Sequence, residues 1–478
     1  MVHLPPEIWL YIATFVPRND LRRLLGVNRV FLELELDLRF KRIKFSTAGI
    51  NSLGLQRLSD SFVARRVHDM TVILYFQEPQ SKGHSQVFKN MYRQINHPMQ
   101  GALNLFRKDK SHDFGRSDNV GFTYAMNSLT ELGPKLVSLQ ALTVRCTWNL
   151  VPQLSYKQMR PFLPSFSTTV GVNLRQLTLE GNLDEFRALL EIQPGFNSLD
   201  DLCLVFKEST HSIEPDAIQN TLIEVVAPFI NHLSRHLQNL SLKSYLSALD
   251  LSDFFLKLKT LPVLGRLDLR EAFIKPSRYP HSLIKLFGDH SHTLQHLRLP
   301  LIPFKVHLEP DIQEPLSEWL LECVANEGSF THLRSLDIYP TKAQKSLDVL
   351  LAYIRRTSSH LTELFVRNRF FGAIEAPIVV RALFHCNDLM DLSLCILQLD
   401  LTLLEQLSED LRGLHRLHVT IKEPFGTLFL PLKGRFAHWN LKDIWIMHRD
   451  EKVDDKTMLA VARSIPSLER LFGKRIVG

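Results

Sequence analysis

Leucines recur along this chain in the pattern L-x-x-L-x-L. The first leucine of each copy stands at Leu139, Leu174, Leu199, Leu237, Leu264 and Leu294, and then at Leu333, Leu361, Leu389, Leu414, Leu441 and, for a partial copy, Leu468. From Leu333 onward successive copies are 28, 28, 25, 27 and 27 residues apart, a register that chance does not keep. The x-L-x-L portion alternates with period two, which predicts a short strand whose leucines face a core while the residues between them face out. One such strand cannot bury its own leucine face, whereas copies stacked in parallel bury one another's.

The residues between copies must return the chain to the next strand. Segments 184–192, 216–233, 317–325, 346–356 and 454–464 begin near a capping residue and carry apolar residues at spacings of three and four, which predicts helices. Strand followed by helix at intervals of 25 to 39 residues predicts an α/β solenoid, a horseshoe of parallel strands with helices on its outer face. Leucines at these spacings also fit the amphipathic elements of an ordinary α/β protein. A doubly wound enzyme, however, would carry a glycine-rich turn after a strand, and neither G-x-G-x-x-G nor a Walker-type sequence occurs. A first possible copy, residues 67–72, lies more than two repeat lengths before the next. Residues 77–121 are polar and weakly periodic, with Pro79, Gly83, Pro98, Gly101 and Gly115, and are expected to form a mobile insertion. A shorter proline-rich loop is expected over 299–315.

The first 45 residues follow a different pattern. Pro5, Pro6 and Glu7 suit the first turn of a helix, where proline forfeits no needed donor and an acid meets the helix dipole. Ile8, Ile12 and Phe15 continue it at helical spacing until Pro17. Asn19 or Asp20 is expected to cap a second helix bearing Leu21, Leu24 and Leu25, and a third follows Asn28 with Phe31, Leu34 and Leu38 on one side. Three short helices make a very small core, which gains stability from a partner or from the domain behind it.

The order Leu4-Pro5-Pro6-Glu7-Ile8-Trp9, then Ile12, then Asp20-Leu21, then Val27-Asn28-Arg29-Val30-Phe31, resembles the F-box, particularly as it occurs in expanded fungal families. Phe31 stands where many members carry tryptophan. The later repeats resemble the leucine-rich repeats of F-box proteins, in longer and less regular units than the shortest repeat types. The resemblance implies an F-box over 1–45 and a leucine-rich-repeat solenoid over 46–478. It further implies that Leu4, Pro5, Ile8, Ile12, Leu21 and Leu24 bind a Skp-type adaptor or hold the helices that do, linking the chain to a cullin-RING ubiquitin ligase of the SCF type. Ubiquitin transfer would then belong to other subunits, and this chain would be a noncatalytic receptor for a target protein. A helical cap on the solenoid, and a noncatalytic scaffold acting outside a ubiquitin ligase, are the alternative readings of module and whole chain.

Composition narrows the remaining classes. At 478 residues the chain exceeds one core of ordinary size, and its 45% hydrophobic and 22% charged residues are those of a folded globular protein. The amino terminus lacks a basic segment followed by an apolar core, and no run of about 18 apolar residues occurs, so neither secretion nor membrane insertion is expected. Five scattered cysteines form no disulfide framework, which points to the cytoplasm or nucleus, and Asn239-Leu240-Ser241 is read as a chance glycosylation match. The net charge of +7 comes from 57 basic and 50 acidic residues that are interspersed. Its densest basic run, Arg107-Lys108-Asp109-Lys110, is broken by an acid, so nucleic acid is not an expected partner.

No H-E-x-x-H, G-x-S-x-G or C-x-x-C sequence is present, and His290, His292, His296, His415 and His418 lack cysteine or carboxylate partners at ligand spacing. No catalytic residue, metal or cofactor is therefore expected. Target recognition is expected on the outward strand positions, which read Arg266, Asp268, Arg270, His296, Arg298, Asp337, Tyr339, Glu363, Phe365, Arg367, Arg416, His418 and Trp445. Arg270, Arg298, Tyr339, Phe365, Arg367, His418 and Trp445 are the candidate contacts. Arginine and aromatic residues join contact area to directional hydrogen bonding, although a solvated strand face can carry the same types.

Overall fold

Parallel strands joined by helices account for the leucine segments in the computed structural model, which describes residues 4–24, 26–47, 55, 57–75, 118–147, 153–207, 219–244, 251–270, 281–300, 310–325, 330–339, 345–367, 369–423, 435–448, 455–471 and 474–475. Among the described residues the chain divides into two units, one up to Leu199 and the other from Asp200 onward.

The first unit opens with helices α1 (Pro6–Phe15), α2 (Arg18–Leu21) and α3 (Arg29–Phe40). Pro6 occupies the first turn of α1 with Glu7 beside it, and the Asn28 side chain caps α3 by accepting from the Val30 N–H at 3.0 Å. Helix α2 differs from expectation: its N-cap is Pro17, with no side-chain cap from Asn19 or Asp20. The small core consists of Ala13, Leu21 and Phe31, with Trp9, Ile12, Val16, Leu24 and Leu34 packed against it. Trp9 meets Phe31 edge-on at 5.5 Å, a favoured aromatic geometry. Glu35, buried on α3, pairs with Arg22 at 3.2 Å, and Asp37 pairs with the buried Arg66 at 2.6 Å, tying α3 to the segment before the second strand.

Four parallel strands follow in chain order: β1 (Arg42–Ser46), β2 (Asp69–Tyr75), β3 (Ala141–Thr147) and β4 (Gln176–Gly181). Strand β1 spans the expected domain boundary at 45 and has no leucine of its own. It joins the sheet by pairing Phe45 with Val72. The register stacks Met70, Leu142 and Leu177 in one buried row and Val72, Val144 and Leu179 in the next. Helix Leu183–Leu190 starts at a capping box, in which Asn182 and Glu185 each accept the other's backbone N–H, at 3.0 and 2.7 Å. Gly181 precedes it because a Cβ there would collide with the Glu185 carboxylate. Of the expected insertion at 77–121, residues 77–117 lie outside the described residues, and the remaining four belong to helix Asp118–Leu132 rather than to a loop.

The second unit holds β5 (Asp201–Phe206), β6 (Asn239–Ser244), β7 (Arg266–Arg270), β8 (His296–Leu299), β9 (Ser335–Ile338), β10 (Glu363–Val366), β11 (Asp391–Ile396), β12 (Arg416–Ile421), β13 (Asp443–His448) and β14 (Arg470–Leu471). All ten are parallel in chain order, and β15 (Lys474–Arg475) closes on β14 as an antiparallel pair. One buried row runs through Leu202, Leu240, Leu267, Leu297, Leu336, Leu364, Leu392, Leu417 and Ile444. Return helices cover it: Ser346–Thr357 brings Leu350, Tyr353 and Ile354, and a cluster of Phe287, Phe330 and Tyr353 has ring centroids 5.6 and 5.7 Å apart. The helix expected over 216–233 carries Pro228, which has no N–H to donate. Its described part is helical at 219–221, passes through a π turn, Leu222–Val226, and continues as helix Ala227–His232. Helix Pro310–Ala325 begins seven residues before the expected 317, so 310–315 is not loop, and residues 301–309 lie outside the described residues. Among the described residues no helix is long and apolar enough to cross a membrane.

Candidate functional site

Strand alternation sends every second side chain of the second unit away from the leucine rows, and the polar residues there are paired across strands. Register places Asp268, Arg298 and Asp337 side by side on β7, β8 and β9. Arg298 reaches both acids, 3.6 Å to Asp268 and 2.8 Å to Asp337. Arg270 closes on Asp268 at 3.4 Å, and Arg367 on Asp337 at 3.4 Å. The result is an alternating chain of charges, Arg270, Asp268, Arg298, Asp337, Arg367, in which each acid lies under two longer side chains.

Burial follows from this stacking: Asp337 is 6% exposed while the Arg367 side chain is 43% exposed. Desolvation raises the Asp337 pKa, outweighing the opposing pull of Arg367 and Arg298. The solvent-facing layer is therefore guanidinium and ring. Arg367 lies 5.9 Å from the Tyr339 ring centroid and 5.7 Å from that of Phe365, within cation–π reach of both rings.

A second cluster lies on β11, β12 and β13. Arg416 grips the covered Asp391 with two guanidinium nitrogens, which raises the arginine pKa further. Its register neighbour on the other side is Asp443, also covered. His418 and Trp445 are paired in register with ring centroids 5.6 Å apart. Desolvation lowers the His418 pKa, against Asp443 and Asp391 and with help from Arg416 and Arg367.

The structure thus brings Arg270, Arg298, Tyr339, Phe365 and Arg367 into one connected group and sets His418 with Trp445 in another, close enough for Arg367 to act on His418 electrostatically. Asp391 and Asp443 were missed by sequence reasoning. Their signal is positional: both directly precede the first strand leucine or isoleucine, in the same row as Arg266, His296, Glu363 and Arg416. The arrangement offers directional cation and ring surface with its charge largely balanced, which suits a polar protein surface better than a polyanion.

In the first unit, the expected adaptor residues fall on two sides of the helices. Leu4, Pro5 and Ile8 are exposed, whereas Leu21 is buried and Ile12 and Leu24 are half-buried against the small core. The exposed face of α1 continues through Tyr11 and Phe15, 64% and 71% exposed, with their rings in edge contact at 5.0 Å. Tyr11 is an addition to the sequence reading; Ile8, Tyr11 and Phe15 follow spacings of three and four, one face of the helix, and Leu4 is exposed just before it.

His290, Cys323 and Cys386 are tied into the fold by burial. His290 is buried, with Nδ1 2.6 Å from the Leu286 carbonyl and Nε2 accepting the Leu261 N–H at 2.8 Å. Burial pushes the Cys386 thiol up to about 12 and that of Cys323 higher still, away from nucleophilic use. Among the described residues no three His, Cys, Asp or Glu side chains converge as a metal site. No known family model matches the chain, and no curated protein is significantly similar to it.

Proposed function

We propose that this chain is the noncatalytic substrate-recognition subunit of an SCF-type cullin-RING ubiquitin ligase, with α1–α3 acting as an F-box and the repeats as a leucine-rich-repeat receptor. The observation that carries the reading is the division of α1 into two apolar faces. Trp9, Ile12, Ala13 and Val16 complete the module's own core, while Ile8, Tyr11 and Phe15 remain uncovered, with Leu4 exposed just ahead of the helix. An apolar face of this kind on a surface helix is what helix-in-groove partners use. The Leu-Pro-x-Glu-Ile opening makes a Skp-type adaptor the partner that fits. Target capture then falls to the arginine and aromatic layer of the second unit, and the ligase works by holding its target near the transfer machinery rather than by chemistry on this chain.

The test is reconstitution of the full chain with a purified Skp-type adaptor and cullin. Wild type should copurify with both, and an Ile8→Asp, Phe15→Asp variant should lose the adaptor at unchanged helicity, since both positions are exposed. Failure of wild type to bind, or full binding by the variant, overturns the adaptor assignment. Replacing Tyr339, Phe365 and Arg367 with alanine should keep adaptor binding and weaken target capture by about 2 kcal/mol or more, a hot-spot loss. Adaptor binding without turnover of any captured target would instead favour a scaffold outside ubiquitin delivery.

A further inference from the structure

A groove of ≈ 650 Å³ runs along the amino-terminal ends of β6 to β10, apart from the charge chain on the strand centres. Its lining comes from equivalent positions of successive repeats. Gln238, Gly265, Gln295 and Arg334 each directly follow the first leucine of a copy, and His332 and His360 directly precede one. His292, Thr293 and His296 complete the middle of the floor.

Three features give the groove one chemical preference. The backbone carbonyls of Gln238, Gly265, Gln295 and Arg334 each accept two N–H groups from the next repeat, so their acceptor capacity is spent inside the fold. No carboxylate lines it among the described residues; Asp201 stands in register beside Asn239, and Glu363 acts on His296 against Arg266 and Arg334. Arg334 is exposed and has no ion pair among the described residues, unlike Arg270, Arg298, Arg367 and Arg416. What remains is one guanidinium, which only donates, set among side chains that can turn a donor toward an anion: the amides of Gln238, Asn239 and Gln295, and four imidazoles, of which His332 and His360 lie nearly parallel, 6.2 Å apart at 16°. At about 4.8 Å per strand, four strand steps give a length near 19 Å, that of an extended peptide of roughly six residues.

We propose that this groove binds an extended acidic peptide segment through its side-chain oxyanions, with Arg334 as the ion-pairing anchor. The inference rests on the receptor reading only for where such a segment would come from, namely a target protein. Binding itself needs neither adaptor nor ligase.

The experiment measures fluorescence anisotropy of the full chain with labelled hexapeptides: one rich in glutamate, one carrying phosphoserine in a neutral background, and one with serine instead. One or both anionic peptides should bind and the serine peptide should not; which of the two is tighter identifies carboxylate or phosphate as the source of the oxyanion. Arg334→Gln should weaken binding by about tenfold or more, the loss of a charge-assisted hydrogen bond, and Arg334→Glu should abolish it. Arg355→Gln, on helix Ser346–Thr357, controls for bulk charge and should bind as wild type. The Tyr339, Phe365, Arg367 triple alanine variant should also bind normally, so a failure of the strand-face reading leaves this result standing, and the reverse. Equal binding by wild type and Arg334→Gln, binding of neither anionic peptide, or displacement of the peptide by single-stranded RNA at lower concentration than by unlabelled peptide overturns the proposal.

Discussion

His290 offers a test of how the second unit is held together, because its two ring nitrogens have different and identifiable tasks. The Leu286 carbonyl only accepts, so Nδ1 carries the proton, and the bare Nε2 is then free to accept from Leu261. Truncation to alanine strands a buried N–H and empties an imidazole-sized space, together roughly 2–4 kcal/mol. Two further variants separate the tasks. Glutamine places a polar atom near Nε2 and can keep the Leu261 bond, whereas asparagine reaches only the Nδ1 position and leaves Leu261 without an acceptor. The expected order of stability is wild type, then glutamine, then asparagine and alanine together. Protonation adds a pH signature. Burial lowers the His290 pKa, so the unfolded chain takes up a proton near pH 6.5 that the folded one refuses, and stability falls as pH drops below about 6.5 toward the folded value. His296 and His418 are shifted the same way and contribute to the same slope. The glutamine variant should therefore show a shallower loss than wild type, not a flat profile. Urea melts from pH 5 to 8, with amide exchange followed at Leu261, read both effects. An asparagine variant as stable as the glutamine one, or an unchanged Leu261 exchange rate in the alanine variant, would refute the reasoning.

Three further outcomes follow from the same structure. Ile12→Ala should destabilise the amino-terminal helices by about 2 kcal/mol through lost core packing, while Ile8→Ala stays within about 0.5 kcal/mol, as limited proteolysis of the module will read. Asp337→Ala removes an acceptor from Arg298 and Arg367, which stay partly solvated, and should cost about 1–2 kcal/mol in denaturant melts, whereas Asp337→Asn keeps an acceptor oxygen and should cost under about 1 kcal/mol. Its raised pKa means that the ionised carboxylate is disfavoured in the fold, so this group's contribution weakens as pH rises from the unfolded carboxylate value through the folded one, and the asparagine variant should lose that dependence. Trp439→Phe removes the indole N–H that donates to the Leu411 carbonyl at 3.0 Å and should cost about 1–2 kcal/mol, measured by the same melts.

Period-two leucines determined the strands by themselves, because a short segment with one apolar face has a single way to bury it when copies repeat. The parallel order and the rows of Leu202, Leu240 and Leu267 follow from that. Strand β1 was illegible for the same reason. Arg42-Ile43-Lys44-Phe45-Ser46 alternates but lacks a leucine anchor and follows α3 directly, so only pairing with β2 reveals it. Helix α1 was legible as a helix, yet which of its apolar residues it spends on its own core depended on where Phe31 and Leu21 arrive. Strand alternation placed His296 outward, where it opens onto the groove, but nothing in the sequence showed that His290 would be buried with its ring nitrogens spent on Leu286 and Leu261. The outward arginines and aromatics could be read from strand alternation. That Asp268 and Asp337 would be covered could not, since Arg298 and Arg367 reach them from neighbouring repeats, and burial of a short acid under a long cation is decided only when register sets the strands side by side.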